Sequence, residues 1–430
     1  MRLAVASILS LIAFPVLSFG QFSQYHASPP KPAPAVIKAG RILDVVTGRY
    51  LEHQAILIEG RIKEVGPWDQ VMAHAPSSAT QIDLSQATVL PGLIDCHAHP
   101  FVSMDPHMSG GEGLTTAVAL MSPTLRVFIG EHNLREDLEA GITSVRVVGH
   151  SGVDGDISLR DAIKLGLVQG PRLQASGRKL VPIGGQSMYV QPALAKPILE
   201  QEYREVSGPD DARRAVRESL AGGVDWIKIA MDAGAGPLWK FRYMDPVDVR
   251  AIIEEAHRVH LKVAVHAIDA DAIQTVIDAG ADTIEHGYLA TEPQLRQMKA
   301  KGIFLVANDM PDNGGSPESK QRLQQAMKIG VKIAIGTDLW VPLPGKTYGQ
   351  NSLMDLYALH EEGMPNVDVL RSATLVGADL MGLDAGQIAA GKFADIIAVS
   401  GDPLESLNVL DHVNFVMKGG VVVKNELAKN

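Results

Sequence analysis

The run PGLIDCHAHP, residues 91–100, closes an apolar stretch with two histidines one residue apart. In a β-strand, residues i and i+2 point to the same side. His97 and His99 can therefore aim both imidazoles at one point, with Ala98 turned away between them. Neutral imidazoles that converge in this way suit zinc and similar divalent ions. Other segments add residues of matching chemistry. Lys228 sits inside the apolar run WIKIA, His266 near the end of VAVHAI, His286 in TIEHG and Asp338 at the end of KIAIGTD. Taken singly, such a histidine reads as a hydrogen-bonded core residue, the lysine as the partner of a carboxylate, and the aspartate as a helix cap. All six, however, fall at the ends of strand-like runs, and a packing role gives no reason for that coincidence.

The elements that must position these residues follow from hydrophobic periodicity. Strand-like runs begin at VLPGLIDCHAH and continue at 143–149, 172–177, 226–230, 263–268, 283–287, 304–309 and 332–338. Helical patterns separate most of them, such as PVDVRAIIEEAHRVH and DAIQTVIDAG. Eight such alternations over roughly 250 residues predict an α/β fold, a (β/α)8 TIM barrel whose chemistry lies at the C-terminal rim of its strands. A doubly wound open sheet is the rival, but no Gly-rich phosphate turn follows the first strand. On either side the texture is β-rich. Residues 37–86 and 389–430 carry short alternating strands and Gly turns, and neither is long enough to bury a sheet alone. The expectation is one small composite β-sandwich built from both chain ends around a barrel at 87–388.

The chain has 430 residues, of which 46% are hydrophobic and 20% charged, with a formal net charge of -10. That balance argues against a nucleic-acid partner and against an anionic membrane surface. Residues 1–20, MRLAVASILSLIAFPVLSFG, have the layout of a secretory signal peptide, with an apolar run shorter than a membrane span and broken by Pro15; an uncleaved membrane anchor is the alternative. The expected location is therefore outside the cytoplasm, periplasmic or secreted. Residues 21–36 form a Pro-rich lead-in. Cys96 is the single cysteine, so no intramolecular disulfide forms, and stability must come from the core and any bound metal.

PGLIDCHAHP, GVDWIKIA, VAVHAI, TIEHG and IGTD together resemble the metal motifs of the amidohydrolase superfamily. The nearest resemblance is to its imidazolonepropionase-like and Xaa-Pro dipeptidase branch, which includes ochratoxin-type amidases. It covers the chain from about Ile37, including the terminal GQIAAGKFADIIAV and GDPLE. The resemblance implies a metal-bearing barrel with a β-sandwich and two divalent ions, zinc being the expected metal. His97, His99 and Asp338 would hold the buried ion, His266 and His286 the more exposed one, and Lys228 would bridge both as a carbamate. A shared water would be the nucleophile, and Asp338 would carry its proton to the leaving amine. Tyr243, in FRYMDP, lies where the branch often places an oxyanion-stabilising tyrosine; the alternative is an ordinary surface aromatic.

The sequence departs from the family where specificity would be set. Gln186, in IGGQSMYV, stands where many relatives have the histidine of a His-Gly-Asp run, and Val147 stands where they often carry aspartate. Trp340 and the prolines after Asp338 predict a bulky rim, and the 101–124 loop is long and rich in Met and Gly. Gln186 and Trp340 are accordingly the expected substrate contacts. The function this implies is metal-dependent hydrolysis of an amide or peptide bond in a small substrate: a dipeptide, an Xaa-Pro dipeptide or an N-acyl amino acid. Hydrolysis of a lactone or cyclic amide is the alternative within the class, and a non-catalytic binding relative the alternative outside it. A homo-oligomer is compatible with the sequence.

Overall fold

A computed structural model describes residues 32–427 except 106, 109, 187–191, 233–242 and 310–316. The expected signal peptide and most of the Pro-rich lead-in lie outside these residues. The barrel-type strands are Leu93–Ala98, Ile142–Val147, Arg172–Gln174, Trp226–Ala230, Lys262–Ala267, Thr283–His286, Phe304–Val306 and Ile333–Ala334. Every pairing among them is parallel, in two sheets. Backbone hydrogen bonds span both gaps. Cys96 N–H donates to Ile335 at 3.0 Å and Asp338 N–H to His97 at 2.8 Å on one side, and Asp225 N–H to Ala175 at 2.8 Å on the other.

Helices cover the strands because their apolar stripes recur at helical spacing. In Pro246–Arg258, Val249, Ile252, Ile253 and Ala256 are buried against the sheet. The Asp245 carboxylate caps this helix by accepting from Val247 N–H at 2.9 Å, a device worth about 0.5–2 kcal/mol. Ala270–Ala279 begins on an Asp269 cap and ends at Gly280, whose φ of 82° closes the last turn. Inside the barrel, Ile94, Cys96, Trp226, Ala264, Val306 and Ala334 form a dry layer. Two positions further along their strands, Trp226 and Ala264 give way to Lys228 and His266, so strand alternation carries those side chains inward above the apolar floor.

The third strand differs from the sequence expectation of one run at 172–177. It breaks after Gln174, and Lys179–Pro182 resumes the parallel direction, pairing with the fourth strand through Leu180–Ile229 and with an added strand, Tyr203–Val206. Gly177, at φ 61°, sits in the break.

Both chain ends enter one eight-stranded sheet. Ala35–Asp44 pairs in parallel with Thr80–Pro91, which pairs antiparallel with Ile396–Val399. The sheet rolls over its own apolar interior, which includes Ile37, Ile56, Ile62, Ile396, Phe415 and Met417. Ile62 N–H reaches Lys392 O at 3.0 Å, bringing one edge strand toward the C-terminal segment. Among the described residues no single helix is long and apolar enough to cross a membrane.

Candidate metal centre

The first strand delivers His97 and His99 to a point where their Nε2 atoms lie 3.2 Å apart. Each ring has already committed its other nitrogen. His97 Nδ1 faces Glu285 Oε2 at 2.6 Å, and His99 Nδ1 faces the Gly149 carbonyl at 3.0 Å. A carbonyl only accepts, so His99 Nδ1 carries a proton. Glu285 is an acceptor as well: burial would raise its pKa, but Arg146, Lys228 and the bond from His97 hold it well below the usual carboxylate range. With its Nδ1 protonated, the neutral His99 ring turns the lone pair of Nε2 toward His97 Nε2. Asp338 Oδ1 closes the triangle, 3.4 Å from His97 Nε2 and 3.1 Å from His99 Nε2.

Three potential metal-ligand atoms thus converge on one point. Burial pushes the His99 imidazole down to about 3, so this ring stays neutral and able to bind a cation. A cation satisfies all three at once, and the donor set is the imidazole and carboxylate chemistry that divalent metals take. His286 joins the group: one ligand atom each from His97, His286 and Asp338 lies within 4.8 Å of the others. The His266 ring is 4.5 Å from that of His286, with Nε2 3.3 Å from Asp232 Oδ1. Lys228 is buried, and its Nζ has no hydrogen-bond partner among the described residues. Burial, the largest influence on it, lowers this amine to about 8. An orphaned, readily neutral amine beside a metal-ligand cluster fits a lysine that is modified to an anionic ligand.

Strand ends shape the cluster through unusual backbone. His286 ends its strand, and Asn308 and Asp338 follow the next two strands, with φ of 69°, 53° and 47°, in the left-handed region that non-glycine residues seldom adopt. Neighbours along a strand ordinarily face opposite sides. Here Glu285 reaches His97 while His286 reaches toward Asp338, with Nδ1 4.0 Å from Oδ2. Asn308 holds the turn, accepting from His286 N–H at 3.2 Å and donating to the Gly336 carbonyl at 2.7 Å.

Several supporting residues escaped the sequence reading. Glu285 is gripped by Arg146 at 2.9 and 3.0 Å and by the Thr283 hydroxyl. Asp95 accepts from His97 N–H at 2.9 Å and from the Thr337 hydroxyl at 2.7 Å, joining the first strand to the eighth. His150, at φ 61°, stacks edge-on to His99 with ring centres 5.2 Å apart. Lys179 is buried, with Nζ 3.5 Å from Gln186 Oε1. No sequence signal marks it: Lys179 follows Arg178 at the start of KLVP, whereas Lys228 interrupts the apolar run WIKIA.

The other expected site residues are placed as follows. Trp340 Nε1 donates to Asp338 Oδ1 at 2.8 Å, and its ring lies 4.2 Å from that of His99. Gln186 is buried, its backbone carbonyl accepting from the Tyr203 hydroxyl. Tyr243 is not drawn into the cluster. It is 37% exposed at the rim, and burial together with Asp269 raises its phenol pKa.

Comparison with known proteins agrees with this geometry. Ochratoxinase of Aspergillus niger is 28% identical over 425 residues, 88% of this chain and 84% of that protein, and its crystal structure superposes with a TM-score of 0.77. A Xaa-Pro dipeptidase crystallised with methionine in its active site is 28% identical, with a TM-score of 0.77 over 91% of this chain and all of the other. A prolidase complexed with N-methylphosphonate-L-proline is 30% identical, with a TM-score of 0.76 over 91% of this chain and all of that one. The model of the amidohydrolase family matches residues 88–423, from the strand entering the barrel to the last strand of the terminal sheet, and the chain belongs to that family.

Proposed function

We propose that the protein hydrolyses an amide or peptide bond in a small substrate, a dipeptide, an Xaa-Pro dipeptide or an N-acyl amino acid, at a binuclear metal centre. The observation that carries this reading is the convergence of His97 Nε2, His99 Nε2 and Asp338 Oδ1, with His286 beside them, in the barrel interior. His97, His99 and Asp338 would hold one divalent ion and His266 and His286 a second, with Lys228 between them as a carbamate. Zinc is the metal whose usual ligands this set supplies. Bound there, the ions would supply a water made acidic near neutral pH and a polarised scissile carbonyl.

The chain's own residues do the rest. Lys228, once its ammonium has lost a proton, would add as a free amine to carbon dioxide: an N–C bond forms, one C=O π bond opens and a second proton leaves, so a buried cation becomes an anionic ligand. Asp338 takes a proton from the attacking water at Oδ2, the oxygen on the His286 side, and returns it to the leaving nitrogen as the C–N bond breaks. Trp340 fixes the carboxylate for this task through its bond to Oδ1. It also links the centre to a partly apolar wall that includes Val102, Val118, Val181 and Leu199, suited to an apolar side chain of the substrate. Tyr243 would help stabilise the oxyanion from the rim, and Gln186 would contact the substrate from the third strand. The apolar first twenty residues favour export to the periplasm or medium.

The test is a screen of dipeptides, Xaa-Pro dipeptides, N-acyl amino acids and lactones, each with and without chelator. Chelator-sensitive release of an amine from an amide supports the reading. Turnover confined to lactones, or no turnover by metal-loaded protein, overturns it.

A further inference from the structure

Lys179 is a second buried cation beside the metal-ligand cluster, and the metal scheme does not use it. Its stem crosses Gly149, whose carbonyl orients His99: a Cβ at Gly149 would lie 2.6 Å from Lys179 Cγ and 2.8 Å from its Cε. Gly149 also holds a φ of 106°. Glycine is thus required there on two counts, and one of them is to let this lysine through. The ammonium ends 5.8 Å from the Trp340 ring centre, inside the cluster's field, where it bears on His99, His150 and His266.

Among the described residues, no carboxylate comes within ion-pair distance of this ammonium. Its hydrogen-bond partner among the described residues is Gln186 Oε1, at a long 3.5 Å. The acids around it have other partners. Asp338 serves His97, His99 and Trp340; Glu202 serves Arg126; Glu285 serves Arg146 and His97. An ammonium has three donors, and a buried charge without a counterion is costly. Burial first, and the nearby Lys228 charge second, push its pKa down to about 7. A carbamate on Lys228 would remove the second of these influences but leave the first, burial, in place.

We propose that Lys179, with the side-chain amide of Gln186, forms a subsite for the free carboxylate of the substrate, making the enzyme selective for acids such as dipeptides and N-acyl amino acids over uncharged amides. This rests on the amide-hydrolase reading for its substrate class but concerns a contact that can be measured without turnover. The carboxylate would replace the long Gln186 contact as the ammonium's principal partner, and Trp340 beside it would exclude water and strengthen the pair.

The test is calorimetric binding of two inert probes to metal-loaded protein: L-leucine, which carries a carboxylate, and 3-methylbutylamine, the same molecule without it. The metal content of every sample is measured alongside. Lys179→Met should weaken leucine binding about 10–100-fold, the worth of a charge-assisted hydrogen bond, shift the amine far less, and retain its metal. Gln186→Leu, which keeps the lysine, should weaken leucine about 3–10-fold and serves if Lys179→Met does not fold. Equal loss for both probes, unchanged leucine affinity, or loss of metal from Lys179→Met would overturn the subsite. Failure of the amide screen with the leucine effect intact would instead overturn the catalytic reading.

Discussion

Glu285 and His97 are joined by a 2.6 Å contact in the barrel interior, and the opposite face of the carboxylate is held by Arg146. This pair sets which nitrogen of His97 is bare, so a residue that touches no metal decides whether the ligand can bind one. Glu285→Gln should keep the fold and lower metal affinity about 10–100-fold, the usual cost of losing such a supporting partner. Competition titration with a chromogenic chelator measures it, and unchanged affinity would show that the contact is merely packing.

His97→Ala or His266→Ala should remove most activity while leaving circular dichroism and the thermal transition near those of the parent. Each deletes one imidazole from a coordination set. A purified variant with normal turnover and normal metal content would exclude that residue as a ligand.

Lys228→Ala should lose metal and activity together, and short carboxylic acids should restore part of both by filling the gap with an anion. Lys228→Arg should fail, since a guanidinium stays cationic and repels the ions. Recovery by arginine, or no recovery by any acid, would remove the bridging role.

Asp338→Asn separates ligand from proton carrier. If the carboxylate moves a proton, the rate should remain about 10²–10⁴-fold down even at saturating metal, because the amide cannot accept one. Full recovery with added metal would leave Asp338 as a ligand only.

Gly336→Ala tests the packing behind the site. A Cβ there would lie 2.5 Å from His97 Cβ and 2.6 Å from Val306 Cγ1. Overpacking of this kind costs about 1–3 kcal/mol and should also displace His97, so both the unfolding midpoint and the metal affinity should fall. A variant that loses neither would show that the barrel yields locally.

The strands that carry the cluster were legible in sequence because each combines an apolar run with a polar residue at its end. WIKIA and VAVHAI announce both the strand and the residue that matters. The break in the third strand was not legible. Its two halves pair with different neighbours, and pairing is a long-range choice that local periodicity does not report. The same limit hid Glu285, Arg146 and Asp95: each is an unremarkable charged residue until the barrel brings it against His97, Cys96 or Thr337. His150 and Lys179 were hidden because their significance lies in what surrounds them, a ligand ring and an absent counterion.

The most direct test of the metal centre is anomalous diffraction from crystals of the metal-loaded protein, collected above and below the absorption edge of the bound metal. The account predicts a strong peak between His97 Nε2, His99 Nε2 and Asp338, a second beside His266 and His286, and density extending from Lys228 Nζ to both. Metal-replete crystals with no peak inside the barrel, and an unmodified Lys228 at full occupancy, would contradict it.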